Sequence, residues 1–134
     1  PFLDRIDICA ESSRVEFGEV TGEDKAEGSA QIRERVCRAR EIQKVRYRDA
    51  GIHVNSMLEG EILKKYCELG PAGKKMMEQA FDVLKLSARA YYRVLKVART
   101  AADLSGEEKI REEHLREALG YRTVDRKYWG RQKI

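Results

Sequence analysis

Apolar residues that recur at helical spacing constrain this chain more than any other feature of its sequence. The clearest case is residues 86–104, "LSARAYYRVLKVARTAADL", where offsets of three and four residues define one apolar face. That face contains Tyr91, Val94 or Leu95, Ala98, and Ala101 or Ala102. A helix with such a face has to bury it against other elements, so the stretch predicts a helix inside a packed domain.

The same spacing predicts further helices on both sides of this stretch. The expected segments are Ser29 to about Asp49, a short helix after Asn55 or Ser56, Pro71 to about Leu84, the helix capped by Ser87, and Glu112 to Leu119. The connections between them are short. Helices joined in this way predict a mainly α fold, a helical bundle over residues 29–120.

The first residues follow a different pattern. In "LDRIDICAESSRVEF", successive side chains would alternate between the two faces of a strand, and this pattern predicts one strand of about six residues within residues 3–10. A strand needs a neighbour, and no second comparable strand follows, so its partners are expected outside the chain. The expected organisation is this strand and an acidic linker over residues 1–28, the helical domain over 29–120, and a basic tail over 121–134. A first residue other than Met fits an internal fragment.

Charge and cysteine spacing exclude several classes of protein. Residues 1–28 hold three Lys or Arg and eight Asp or Glu, a net charge of −5, which leaves +9 for the other 106 residues. Cys9, Cys37 and Cys67 lie 28 and 30 residues apart, which is too far for the close pairs that metal sites need, so no metal site is expected. The three cysteines are expected to be free thiols in a reducing cytoplasm. No apolar run is long enough to predict a membrane span.

A self-contained enzyme is not expected from these residues. A phosphate-binding loop needs the pattern GxxxxGKS, and the nearest stretch, "GPAGKK", has the wrong spacing. No Ser/His/Asp set can be assembled either, because the chain has only two histidines, His53 and His114. The cations are therefore the remaining candidates.

Arg89 and Arg5 each allow two interpretations. Arg89 lies in the first turn of its helix, where the helix dipole disfavours a cation. It belongs either to a solvated polar face, with Arg93, Lys96, Thr100 and Asp103, or beside an anion held at the helix start. Arg5, in "DRID", either pairs with one of the flanking aspartates or is displayed towards another molecule.

Four stretches, "FLDRIDI", "LSARAYYRVLKVARTAADLSG", "IREEHLREALGYR" and "DRKYW", resemble the C-terminal part of the magnesium-chelatase-like AAA+ ATPases of bacteria, the ComM/YifB type. The resemblance covers nearly the whole chain. It implies the last strand of an α/β ATPase core followed by the helical lid, with the Walker motifs upstream.

The resemblance also implies roles for the two arginines. Arg89 matches the sensor 2 arginine, which reaches the γ-phosphate bound to its own subunit, and Arg5 matches the arginine finger offered to a neighbour's nucleotide. Arg93 and Lys96 lie either near the same interface or on a solvated face. The implied cofactor is ATP with Mg²⁺ in the full-length protein, with none expected bound to this fragment.

The implied activity is ATP-driven branch migration or translocation of DNA in natural transformation and recombination. The implied partners are the upstream ATPase core, identical subunits in a ring, and DNA, with no membrane. The helix from Ser29 to Asp49 has seven cations, which would contact either phosphates or the next subunit. The alternatives are a stand-alone basic helical module that binds nucleic acid or protein, and a magnesium chelatase subunit.

Overall fold

The structure is a computed structural model that describes residues 2–22 and 26–129, with side chains through residue 123. Within these residues the chain forms six α-helices: α1 (Phe17–Val20), α2 (Ser29–Arg46), α3 (Gly60–Tyr66), α4 (Pro71–Leu84), α5 (Ala88–Leu104) and α6 (Glu112–Trp129). Two 3-10 turns, Leu3–Arg5 and Asn55–Met57, complete the regular structure. The predicted, mainly helical fold is confirmed.

The junction between α4 and α5 follows from local chemistry. Pro71 is the first residue of α4, where its missing N–H costs no hydrogen bond. Lys85 adopts a left-handed conformation with φ of 51°, which ends the helix. Ser87 then caps α5, because its hydroxyl accepts a hydrogen bond of 3.1 Å from the backbone N–H of Ala90. Both predicted starts, Pro71 and Ser87, are confirmed.

The core surrounds α5. The buried apolar residues of α5 are Ala90, Val94, Leu95, Ala98, Ala101 and Ala102. All of them except Ala90 belong to the predicted face, whereas Tyr91 of that face is only partly buried. Small side chains dominate the second half of this face, so neighbouring helices can approach the α5 backbone closely. The largest apolar side chains that are fully buried come from four other elements or loops: Tyr47, Leu58, Met77 and Leu115.

One glycine lies where the packing leaves no space for a side chain. A Cβ atom added to Gly73 in α4 would lie 3.1 Å from Leu115 Cδ1 and 3.4 Å from Leu69 Cβ. Gly73 therefore lets α4 pack directly on α6 and on the loop after α3.

The helix α2 belongs to the core only in its second half. It begins at Ser29, with Gly28 rather than Ser29 as the N-cap, and ends at Arg46, three residues before the predicted end. Residues 29–38 are all exposed, and the first buried residue is Ala39. At 1.5 Å per residue, a segment of about 15 Å extends beyond the bundle.

The last helix is longer than its apolar spacing predicted. It continues from Glu112 through Trp129, where the sequence indicated an end near Leu119. The helix thus enters the expected basic tail, of which residues 130–134 lie outside the described residues. The division into residues 1–28, 29–120 and 121–134 stays a prediction.

The predicted strand within residues 3–10 is wrong. Leu3–Arg5 form a 3-10 turn, and no residue in the described part of the chain belongs to a strand. A single strand is not stable without a neighbouring strand to hydrogen-bond with, and no second strand is present in the described residues. Local bonds replace the sheet, since Arg5 N donates to Phe2 O and Ile6 N to Leu3 O, at 3.2 and 3.0 Å.

Cys67 provides a test of the packed core at alkaline pH. Burial raises the pKa of its thiol from 9.0 to about 11, because the thiolate is poorly solvated inside the protein. A pKa that is higher in the folded state leaves stability intact below pH 9 and lowers it as the pH rises towards 11. We expect Cys67→Ala to weaken this alkaline loss of stability, measured by chemical denaturation across that range.

Cys37→Ala is the matched control, because Cys37 is exposed. It should keep the full alkaline loss. An equal loss in both variants would contradict the burial of the Cys67 thiol.

Candidate functional site

The start of α5 is fixed to the N-terminal segment of the chain. Ser87, the N-cap, donates from its hydroxyl to Asp4 Oδ2 at 2.8 Å while accepting from Ala90. Nearly two turns further along α5, Arg93 forms an ion pair with Asp7. A third link joins the same segment to α6, because Arg122 Nη1 donates to Leu3 O at 3.1 Å. Residues 3–7 are therefore tied to both α5 and α6.

Arg89 is the second residue of α5 and has a distinct environment. Its side chain is exposed and has no hydrogen-bond or ion-pair partner in the described part of the chain. The first turn of α5 holds no acidic residue that could offset its charge. The guanidinium therefore presents its donors to solvent at the end of the helix where an anion is favoured.

Arg89 lines a cleft of about 730 Å³ that runs along α5. Its walls come from residues 7–8, from the loop and helix over residues 56–64, and from α6. The cationic side chains on the α5 side are Arg89, Arg93 and Lys96, and the apolar lining includes Leu58, Leu63 and Val97. The structure thus brings together the three cations that the sequence placed on one helix face, with Thr100 beside them.

Only one of these three cations lacks a partner among the residues that the structure describes. Arg93 is held by Asp7, and Lys96 Nζ donates to the backbone carbonyl of Ser56 at 3.1 Å. Both contacts attach α5 to a neighbouring segment of the chain. They give Arg93 and Lys96 a structural role, whereas Arg89 remains available to a ligand.

Arg5 lies outside the cleft. It is the last residue of the first 3-10 turn, and its side chain is exposed and unpaired among the described residues. The pairing of Arg5 with Asp4 or Asp7 is not observed, because Asp4 bonds to Ser87 and Asp7 to Arg93. The structure therefore presents Arg5 at the surface on a turn, not at the end of a strand, and its role as a finger stays a prediction.

A buried polar network lies behind the cleft. The carboxylate of Asp103 accepts hydrogen bonds of 2.9 and 2.5 Å from Arg46, one of 3.1 Å from Arg99 and one of 2.8 Å from Asn55. The Asp103 side chain is fully buried. Tyr47 donates its hydroxyl to Asn55 Oδ1 at 2.6 Å. This network joins α2, the Asn55–Met57 turn and α5.

The hydrogen bonds of the network favour the charged form of Arg46. Burial on its own would lower the pKa of Arg46, but hydrogen bonds to Asp103 and Tyr47 outweigh it and the net pKa is raised. Arg99 also donates to the backbone carbonyls of Glu107 and Glu108, each at 2.9 Å, and these bonds hold the loop that follows α5 against the helix.

Sequence reasoning missed this network and misplaced Asp103, which was expected on the exposed polar face. The i,i+4 spacing of Arg99 and Asp103 was a visible signal of a pair. The pairing with Arg46, 57 residues away, had no such signal. Arg89 is not part of the network, so its guanidinium does not pair with the buried carboxylate of Asp103.

The described residues contain no group of three or more His, Cys, Asp or Glu side chains that could hold a metal ion. In the same part of the chain, no helix combines the length and the apolar character that crossing a bilayer requires.

Comparison with known proteins identifies the family. The model of the family described as "Magnesium chelatase, subunit ChlI C-terminal" matches residues 26–122, well over half of the chain. The chain belongs to this family. The match begins just before α2 and ends within α6, so it contains the whole cleft wall from α3 to α6.

Three curated relatives match almost the whole chain. Competence protein ComM of Haemophilus influenzae is 45% identical over 128 residues, which cover 94% of this chain and 24% of that protein. Uncharacterized proteins YifB of Salmonella typhimurium and Escherichia coli are 38% and 36% identical over 135 residues, covering 100% of this chain and 26% of each protein. The chain thus spans about a quarter of the length of these relatives.

The family match and the relatives confirm the resemblance seen in the sequence. The chain is a C-terminal part of the ComM/YifB magnesium-chelatase-like type, and its helical domain is the lid of the AAA+ family.

The network makes a direct prediction about stability. We expect Asp103→Ala to lower the free energy of unfolding by about 3–5 kcal/mol, because it leaves the buried guanidinium groups of Arg46 and Arg99 without their acceptor. Chemical denaturation followed by circular dichroism measures the change.

Glu61→Ala is the control, since it removes an exposed i,i+3 ion pair with Lys64. It should leave the denaturation midpoint unchanged. Equal midpoints for the two variants would show that the Asp103 network does not stabilise the fold.

Proposed function

We propose that this chain is the nucleotide-sensing lid of a longer ATPase that couples ATP hydrolysis to branch migration or translocation of DNA. The observation that supports it best is the state of Arg89. Among the cations along the α5 cleft, it alone has no partner in the described residues, and it lies in the turn that disfavours a lone cation.

A phosphate is the ligand that suits Arg89. An exposed guanidinium has five N–H donors and no acceptor, and its planar fork matches the oxygens of a phosphate group. A phosphate at a helix start also gains from the helix dipole, so the arginine and the dipole attract the same ligand. This chain contains no phosphate loop, so the upstream core would hold the rest of ATP and its Mg²⁺.

Bound ATP would supply the phosphoanhydride whose hydrolysis drives the cycle. Arg89 would donate to the terminal phosphate and so favour a lid closed over the core. After hydrolysis that contact is lost, and the difference in free energy between the two states lets the lid open. Ser87 and the core residues of α5 keep Arg89 on a rigid element, so a movement at Arg89 would move the whole lid.

Arg5 would act on a different nucleotide. Its exposed position on a turn tied to α5 and α6 suits a residue offered to a neighbouring subunit of a ring. There its charge would stabilise the transition state of phosphoryl transfer.

The biological setting of the proposal rests on a relative. The relative named as a competence protein is 45% identical to this chain, which supports a role in competence. Action on DNA in the cytoplasm is part of the proposal. The family description supports a second candidate, a subunit of magnesium chelatase. Stimulation of the ATPase by branched DNA would favour the first, and stimulation by a porphyrin with Mg²⁺ the second.

Arg89→Ala in the full-length protein tests the sensor role. Because a hydrogen bond to a charged group contributes about 1.5–3 kcal/mol, we expect kcat for ATP hydrolysis to fall about 10- to 100-fold. The fold should be intact, since Arg89 is exposed and has no partner among the described residues. Steady-state ATPase assays with and without branched DNA measure the effect.

Arg116→Ala is the matched control. Arg116 is an exposed helical arginine on α6 that pairs with the nearby Glu112. Turnover should be unchanged in this variant. Normal turnover in Arg89→Ala as well would refute the assignment of Arg89.

A mixing experiment tests Arg5. Subunits with Arg5→Ala and subunits with an inactivated phosphate loop should each be inactive as pure rings, because each lacks one half of the catalytic interface. Mixed rings should regain part of the ATPase activity, since an intact Arg5 can then face an intact phosphate loop. Mixed rings that stay inactive would show that Arg5 does not act across a subunit boundary.

A further inference from the structure

The exposed half of α2 continues an apolar line that is buried further along the same helix. Ala39 and Gln43 pack into the bundle, and Ile32 and Val36 lie on the same side at offsets of three and four residues. Ile32 and Val36 are nevertheless 43% and 42% exposed. The packing face of α2 therefore extends beyond what the described residues cover.

An uncovered helix half of this length needs a reason to stay helical. Isolated helices shorter than about 12–15 residues are marginal in water. Within residues 29–38, the described side-chain bonds to residues outside the helix are those of Gln31 with Gly28 and of Arg35 with Glu27, both just before the helix start. A partner seated on Ile32 and Val36 would supply the missing stabilisation.

Charge indicates what kind of partner this face accepts. Arg33 and Arg40 lie beside the Ile32–Val36 line and are exposed, and Arg35 borders its other side. We call this surface, made of Ile32, Arg33, Val36 and Arg40, the basic face. Its apolar centre is poorly suited to a phosphate backbone, whereas an acidic segment with large apolar side chains would match both its charge and its centre.

The chain itself contains such a segment. Val15, Phe17 and Val20 are 63%, 82% and 70% exposed, and Glu16 and Glu19 lie between them. We call these five residues the acidic strip. Their apolar side chains are largely exposed, as are Ile32 and Val36, so the described residues leave both the strip and the basic face uncovered in the same molecule.

From this complementarity we propose that the acidic strip of one copy docks on the basic face of a second copy. Phe17 and the two valines would cover Ile32 and Val36, while Glu16 and Glu19 would meet Arg33 and Arg40. The two surfaces are different, so the contact is head-to-tail, and contacts of this type generate rings when the rotation closes. The proposal requires no nucleotide and does not involve Arg89, so it stands or falls independently of the proposed function.

Sedimentation velocity of the 134-residue chain, without nucleotide, tests the contact. The surface is small, so the expected dissociation constant is about 1 mM, and association is expected as the protein concentration approaches that value. Added salt should weaken the association, because it screens complementary charges. A chain that stays monomeric at that concentration in low salt would overturn the proposal.

Two apolar substitutions have matched controls in the chain. Phe17→Ser and Ile32→Ser should abolish association, each by removing the centre of one surface. Phe2→Ser and Val45→Ser should leave it intact, since Phe2 is 74% exposed outside the strip and Val45 is 55% exposed on the other side of α2. Equal loss in the controls would overturn the proposal in favour of nonspecific apolar association.

A charge exchange identifies the pairing of the two surfaces. One variant, Glu16→Lys with Glu19→Lys, reverses the acidic strip, and the other, Arg33→Glu with Arg40→Glu, reverses the basic face. Each should be monomeric alone, because its own two surfaces then repel. The equimolar mixture should associate again, since each surface finds a complementary one on the other variant. A mixture that stays monomeric would overturn the proposal.

Nucleic acid is the competing occupant of the basic face. If a DNA duplex binds the chain and Arg33→Glu with Arg40→Glu abolishes that binding while Ile32→Ser does not, the basic face is a nucleic-acid surface and the docking proposal fails. Loss of self-association in both of these variants, with duplex binding unchanged, would support it.

Discussion

The carboxylate of Asp103, buried between the guanidinium groups of Arg46 and Arg99, is the interaction on which the rest of this structure depends. A buried charge without partners is strongly unfavourable, so Asp103 can remain in the core only while its acceptor positions are filled. Arg46 comes from the end of α2, and Asn55 comes from the turn that follows. The requirement to satisfy one carboxylate therefore fixes where two other elements lie against α5.

That fixed core leaves two surfaces of different character uncovered. One is the cleft along α5, where Arg93 and Lys96 bind neighbouring segments and Arg89 has no partner in the described ranges. The other is the first half of α2, which extends beyond the point where Ala39 enters the bundle. A rigid body with a free arginine at one helix start suits a lid that responds to a phosphate. The α2 face suits a contact that builds an assembly, so sensing and assembly would use separate surfaces.

The accuracy of the sequence predictions follows the range of the interactions involved. The starts of α4 and α5 were predictable, because Pro71 and Ser87 act on their own helices within one turn. The cationic face of α5 was also predictable, since helical spacing alone places Arg89, Arg93 and Lys96 together. The strand prediction was wrong because an alternating pattern does not show whether a second strand is available for hydrogen bonding, and the described residues contain none.

Within the candidate site, the sequence identified which arginines matter but not how each is used. The sequence by itself determined that this chain is helical, that α5 has one apolar and one cationic face, and that its family is that of the magnesium-chelatase-like proteins. These properties depend on local spacing and on the identity of residues. Only the tertiary structure decided that Asp103 is buried with Arg46, that Asp7 holds Arg93, and that Arg89 has no partner within the described part of the chain. Those outcomes depend on contacts between residues that are tens of positions apart, and such contacts exist only after the helices have packed.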